Sequence, residues 1–143
     1  MEKEFIPYDK ALALKELGFD EPCLAVYQDP KFMLIDKLLD NGWVPKELLK
    51  VTNTIYASNG FVTAPLYQQA FRWFRENYNI NVSITSKTLS DGKTVYISHG
   101  RTIPDTINKG LIVDILPYRT DEIYEKAELE CLKKLIEIVK NKN

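Results

Sequence analysis

Histidine and cysteine are nearly absent from this chain. His99 is the one histidine, and Cys23 and Cys131 are the only cysteines. Three nitrogen and sulfur ligands, at spacings unlike any zinc motif, exclude a His- or Cys-based metal cluster. Two distant cysteines in apolar surroundings do not make a disulfide framework; they read as buried, reduced thiols. Excess charge of one sign is also missing. Nineteen Lys and Arg stand against twenty Asp and Glu, a net charge of −1, whereas a general polyanion binder carries a clear basic surplus. No apolar run approaches the ~20 residues that cross a bilayer, and the charged start "MEKEF" has no apolar stretch behind it of the kind a signal peptide needs. No phosphate-binding glycine loop or dinucleotide fingerprint occurs. The expectation is a cytosolic protein with no membrane segment, no metal and no cofactor.

What is present suits a single domain spanning residues 1–143. Apolar and charged residues make up 45% and 27% of the chain, ordinary fractions for a globular protein. A chain of this size buries close to 70% of its unfolded surface and needs no covalent staple. The charge is unevenly spread. Residues 1–62 carry seven basic against ten acidic side chains, residues 63–119 seven against four, and residues 120–143 five against six. The middle segment is the only basic one.

Several elements are readable. "IPYDKALALKELGF" predicts a helix opened by Pro7, with Asp9 in its first turn and Gly18 as a left-handed stop that folds Phe19 back onto Leu14. Cys23 to Tyr27 is a short apolar run that predicts a buried strand, bounded by Pro22 and Asp29-Pro30. Residues 31–62 read least well. "FMLIDKLL" fits a strand or a helix, Asn41-Gly42 and "SNG" are turn signals, "VPKELLKV" suggests a short helix and "NTIYA" a short strand.

"TAPLYQQAFRWFRENYNI" predicts a helix capped by Thr63 or Ala64, with Pro65 in its first turn and Asn79 ending it. Tyr67, Ala70, Phe71, Phe74 and Tyr78 share one face, widened by Leu66 and Trp73. Gln68, Arg72 and Arg75 fall on the other. A hairpin follows: Ile80, Val82 and Ile84 alternate with polar residues, and "SDGK" is the turn. A two-residue Asp91-Gly92 loop would set Thr88 opposite Val95, Ser86 opposite Ile97 and Ile84 opposite His99, with the apolar residues on one face; a three-residue loop would pair Ile84 with Ser98 and split them. "LIVDIL" (111–116) predicts a third strand stopped by Pro117. The last helix is predicted to start at a Thr120 cap, with Asp121 and Glu122 in its first turn. Ile123, Ala127, Cys131, Leu135 and Ile138 would lie inward with Leu132 and Val139, and Glu122–Lys126 and Glu130–Lys134 would pair at i,i+4. The order is α-β-(uncertain)-α-β-β-β-α. It predicts an α+β fold, with an antiparallel sheet of about four strands and helices packed on one face.

Three segments, "EFIPYDKALALKELGFDEPC" (4–23), "TAPLYQQAFRWFRENYNI" (63–80) and "YEKAELECLKKLIEIVKNK" (124–142), give the chain a resemblance to a family of small uncharacterised bacteriophage and prophage proteins. They span about two fifths of its length. The resemblance implies a phage-encoded protein in the cytoplasm of a bacterial host. It implies no activity and carries over no functional residue.

Three kinds of function remain to be weighed. A helix followed by a hairpin invites comparison with a winged helix, and α-β-β-β-α over 66–140 is also the order of a double-stranded RNA-binding domain. In the nucleic-acid reading Gln68, Arg72 and Arg75 meet base edges, while Lys87, Lys93 and Arg101 meet phosphates. Against it, Asp121, Glu122 and Glu125 stand where a basic cluster is expected. Catalysis has thinner support. A Cys23–His99 dyad would join a buried strand thiol to a hairpin end, "SHGR" (98–101) is a strand end beside a glycine, and Asp91 and Asp105, though with Asp114 a conceivable Mg²⁺ set, occupy turn or loop positions that favour aspartate locally. No catalytic residue is assigned. The third kind is a binding module without catalysis, for a protein or small-molecule partner, with Tyr56, Trp43 and Tyr118 as contact aromatics and self-association through the last helix or a free sheet edge. The sequence favours this third reading, with nucleic-acid binding through the 66–78 helix and 80–99 hairpin as the alternative.

Overall fold

The structure is a computed structural model that describes residues 2–36, 51–54, 60–102 and 114–141, with the backbone alone over 114–120. The chain divides into two compact units, Met1–Leu66 and Tyr67–Asn143. The class is α+β, as expected, but among the described residues the antiparallel strands form two three-stranded sheets, one in each unit.

The first unit opens with a short 3-10 turn (Glu2–Glu4) and α1 (Tyr8–Glu16). Pro7 is its N-cap, and the Pro7 carbonyl accepts from Lys10 and Ala11. Gly18 has φ +94°. The Gly18 N–H reaches Lys15 O at 3.0 Å and the Phe19 N–H reaches Leu14 O at 2.9 Å, the paired bonds of a Schellman ending. Phe19 and Leu14 are both fully buried, as the sequence leads one to expect.

Next come β1 (Ala25–Gln28) and β2 (Lys31–Leu34), joined through Asp29-Pro30, and then β3 (Phe61–Thr63). The strand order is β2-β1-β3. β1 is central, so Ala25, Val26 and Tyr27 are buried in succession. The expected strand over Cys23–Tyr27 begins two residues later, and Cys23 forms only an isolated bridge to Val51. "FMLIDKLL" is strand through Leu34, with helical geometry at Ile35 and Asp36. Asn53 and Thr54 are in a turn, not a strand. The readings over 37–50 and 55–59 lie outside the described residues.

The second unit starts with α2 (Tyr67–Tyr78). The expected cap at Thr63 or Ala64 is corrected: Thr63 ends β3, the Ala64 N–H is bonded to Ala25 O at 2.8 Å, and Leu66 bridges Phe5. Sheet pairing holds this segment extended, so the helix cannot begin before Tyr67. Its end is as read, with Asn79 at φ +55°. Tyr67, Ala70, Phe71, Trp73 and Phe74 are buried, while Gln68, Arg72 and Arg75 are exposed.

β4 (Ile80–Thr88) and β5 (Thr94–Thr102) form the hairpin. Its register corrects the expectation. Ile84 faces Ser98 and Ser83 faces His99, so the loop is Ser90-Asp91-Gly92. Gly92 alone is left-handed, at φ +83°, and its N–H bonds Leu89 O at 3.0 Å. Asp91 Oδ1 accepts from the Lys93 N–H at 3.0 Å. These are the marks of a type I turn closed by a glycine bulge, whereas a two-residue Asp91-Gly92 loop of either favoured type would need Asp91 left-handed. The apolar residues are therefore split: Ile80, Val82 and Ile84 lie on one face, Val95 and Ile97 on the other.

β6 (Asp114–Asp121) pairs with β5 and gives the order β4-β5-β6. The expected stop at Pro117 is corrected, because the strand runs through it. The pairing slips between Arg119↔Ser98 and Leu116↔Gly100, a bulge on a strand that is an edge among the described residues. Those are the two settings in which a sheet tolerates a proline, whose missing N–H is not needed there.

α3 (Tyr124–Lys140) closes the unit. Thr120 and Asp121 still belong to β6, which is why neither caps the helix nor fills its first turn; extended Ile123 is the N-cap. Ile123 is 58% exposed instead of lining the core. Ala127, Cys131, Leu132, Leu135, Ile136 and Val139 are buried as one stripe. Lys126 pairs with Asp121, and the pairs Glu130–Lys133 and Lys134–Glu137 have i,i+3 spacing. α2 packs on β4, α3 on β5 and β6, and the two helices touch. Both therefore cover one face of this sheet. Among the described residues no helix is long and apolar enough to cross a membrane.

A candidate binding cleft between a helix and an edge strand

The second unit holds a cleft of about 300 Å³. The stripe Gln68, Phe71, Arg72 and Arg75 of α2 forms one wall, Asn81 to Ile84 of β4 the other, and Tyr124 at the start of α3 one end. The helix places these four residues at spacings of three, one and three, so they lie along one line. Asn79 reverses the chain, so α2 runs back alongside β4. The two walls match in length: Gln68 to Arg75, seven steps of helix, rise about 10 Å, and Asn81 to Ile84, three steps of strand, span about the same.

The strand wall is an edge among the described residues. In an antiparallel pair the backbone groups of alternate residues face the partner strand, and the rest face away. The bond from the Leu89 N–H to Lys93 O fixes the phase. Counting back by twos, Lys87, Thr85, Ser83 and Asn81 face β5, which leaves the N–H and C=O groups of Val82 and Ile84 pointing outward. Their side chains, half-buried, make the apolar floor.

Beneath the cleft lies Glu128, only 7% exposed. The Gln68 amide donates to its Oε1 at 3.4 Å, and the Tyr124 hydroxyl donates to the same carboxylate. Burial pushes the Glu128 carboxyl up, and the Glu125 charge adds to this; the Tyr124 and Gln68 bonds oppose it in part. Burial likewise raises Tyr124, helped by the charge of Glu128. Glu128 thus fixes two cleft-lining side chains. With its donors turned to Glu128, the Gln68 amide can present its oxygen to a ligand.

Of the six basic and amide residues singled out from the sequence, the structure gathers three. Gln68, Arg72 and Arg75 line the cleft. Lys93 follows the hairpin turn, while Lys87, opposite Val95, and Arg101, opposite Asn81, lie on the sheet face away from Val82 and Ile84. On that face Ser83 Oγ sits 3.2 Å from His99 Nδ1 and 3.0 Å from Nε2. The hydroxyl lies between the two nitrogens, not along the lone pair of either, which is not the geometry of an activated serine. Cys23 is buried, with its thiol on Glu21 O at 3.4 Å. Cys131 is buried and pushed up to about 12 by burial and by the Glu128 charge, so little thiolate exists near neutrality. Trp43, Tyr56, Asp105 and the side chains of Asp114 and Tyr118 lie outside the described residues.

Sequence reasoning missed Glu128 and Tyr124, and it named a free sheet edge without placing it at β4 beside the helix. A signal for the first two was present: Tyr124, Glu128 and Cys131 follow at spacings of four and three, which puts a carboxylate inside the apolar stripe. No protein-family model matches the chain, and no curated protein or solved structure matches it either.

Proposed function

We propose that this protein is a non-enzymatic interaction module, phage-encoded and working in the cytoplasm of a bacterial host, that binds a partner in the cleft between α2 and β4. One observation carries the reading. Two guanidinium groups, an amide fixed from below and an apolar floor converge on a cleft that a sheet edge borders. This is the mixture of a recognition site, with an apolar base and a few placed polar groups. Phage origin is supported by the three resembling segments alone.

The test is affinity capture from bacterial lysate with the wild-type chain and with Arg72→Glu/Arg75→Glu. A partner protein is expected on the wild-type chain and is lost on the double reversal. Capture that ignores the reversal, or no capture at all, removes the reading. The exposed arginines of α2 also favour a second reading, nucleic-acid binding through the 66–78 helix and 80–99 hairpin. Binding to mixed DNA or RNA would then fall steeply with salt, with a shallower slope in Arg72→Ala/Arg75→Ala. Undetectable affinity at low salt removes it. The scatter of Lys87, Lys93 and Arg101 away from the cleft ranks it second.

A further inference from the structure

We infer that the cleft takes an extended acidic segment of a partner protein, which adds as a strand to the outer edge of β4. This deepens the proposal of a binding module and rests on it. An edge strand exposes a row of unmade backbone bonds, and an extended peptide is the ligand that satisfies them in series. The outward groups of Val82 and Ile84 lie 6–7 Å apart at about 3.3 Å per residue, the repeat that a pairing strand presents. A compact ligand could satisfy one of these residues but would not follow the strand.

The walls set the side-chain preference. Alternate residues of an added strand point to the helix side of the sheet, where Arg72 and Arg75 stand exposed over Phe71, Val82 and Ile84. Acidic side chains there meet guanidinium groups, whose planar fork matches a carboxylate. Their methylene stems rest on the apolar floor. The described ends of the groove fit a short segment: its four strand positions admit about four residues of partner. Gln68, held by Glu128, supplies an acceptor at the Tyr124 end. Lys87, further along β4 on the opposite sheet face, disfavours pairing of this edge with a second copy of β4, since like charges would meet.

The probe is a fluorescent eight-residue peptide alternating valine with glutamate, titrated against the full chain. Either face of such a peptide can be turned to the arginines by a one-residue slip, so register is not a reason for failure. Saturable binding is expected, at least tenfold weaker for Arg75→Glu, because opposed like charges are strongly unfavourable. The same peptide with lysine in place of glutamate should show the reverse preference, binding Arg75→Glu better than wild type. A third peptide, N-methylated at alternate backbone nitrogens in each of the two phases, tests edge pairing without changing charge. One phase is expected to bind as before and the other to lose binding. Binding that survives methylation in both phases, or that is indifferent to Arg75→Glu, overturns the inference. So does no binding at about 1 mM peptide, the range of a very weak complex. Competition by a nucleoside monophosphate or a short single-stranded DNA better than by the acidic peptide also overturns it. Failure here, with lysate capture still sensitive to the Arg72/Arg75 reversal, would leave the binding module standing and remove only the strand-addition mode.

Discussion

The two units of this chain use their buried polar groups in opposite ways. In Met1–Leu66 such groups tie irregular backbone together. Asn53, 5% exposed, donates to Phe19 O at 2.8 Å and accepts from the Thr63 N–H at 3.0 Å. The Tyr27 hydroxyl donates to Ile6 O at 2.8 Å. At the surface the exposed Asp20 does the same, accepting from the Thr54 N–H and hydroxyl at 2.7 and 2.6 Å. Each partner is a backbone group or a turn residue that ladder bonds do not serve. In Tyr67–Asn143 regular helices and a long hairpin satisfy the backbone, and a buried carboxylate, Glu128, instead holds side chains that line a cleft. A polar group that bonds backbone is part of the scaffold; one that bonds cleft-lining side chains is a pointer to a site.

The largest expected effect tests the apolar half of this contrast. Phe74 is fully buried on α2, with Trp73 and Tyr78 rings at 5.1 and 6.0 Å. Phe74→Ala should cost about 3–5 kcal/mol, measured by urea unfolding. A loss below about 1 kcal/mol would mean that α2 is not packed on its stripe. Asn53→Ala tests the polar half. It strands a carbonyl and an N–H in the interior, at about 1–3 kcal/mol for each unsatisfied group. Asn53→Asp should keep the bond from Thr63 and lose the one to Phe19, so it should fall between alanine and wild type near pH 4 and worsen as the carboxylate ionises beside a carbonyl. Equal stability of all three variants would show that Asn53 ties nothing.

A smaller change of opposite sign belongs to the same unit. The Thr63 hydroxyl is buried and has no hydrogen-bond partner. Thr63→Val keeps the shape, removes the stranded group and leaves the Thr63 backbone bond to Asn53 in place. Stability should rise by about 1 kcal/mol. A fall of that size would show that the hydroxyl has a partner in solution.

How much of this was legible in the sequence follows the same division. The stripe of α2 and most of that of α3 announce themselves through spacing, and Gly18 and Asn79 announce two helix ends, since both features are local. The errors fall where distant pairing decides. Thr63 and Ala64 look like a cap until β1 claims their backbone, and Thr120 looks like one until β6 claims it. Pro117 looks like a stop because nothing local says that its strand lies at an edge and bulges there. The hairpin register turned on whether Asp91 is left-handed, which "SDGK" alone does not fix. At the site, Gln68, Arg72 and Arg75 were legible as a helical face. The strand that makes them one wall of a cleft was not, and Glu128 was hidden by its setting among apolar residues.

The last test sets one carboxylate of each unit against the other. Burial pulls Asp20 upward, but the bonds from Thr54, joined by Thr52 and Asn53, win and hold it below its ordinary 3.8. Its contribution to stability is therefore present above that value and lost as pH falls through the folded one. Glu128 runs the other way. Burial raises it above its ordinary 4.5, so the folded chain keeps a proton that the unfolded chain has released. The stability from that proton is complete below 4.5 and is lost as pH rises through the folded value. Glu128→Gln should flatten the decline on the alkaline side of 4.5 while leaving the acid limb unchanged; Asp20→Asn should flatten only the acid limb. Glutamine at 128 still accepts from Gln68 and Tyr124, so cleft binding should survive at neutral pH in Glu128→Gln and weaken in Glu128→Leu at matched stability. If both variants bind alike, Glu128 is a buried acid that the fold tolerates, and the contrast between scaffold and site loses its second half.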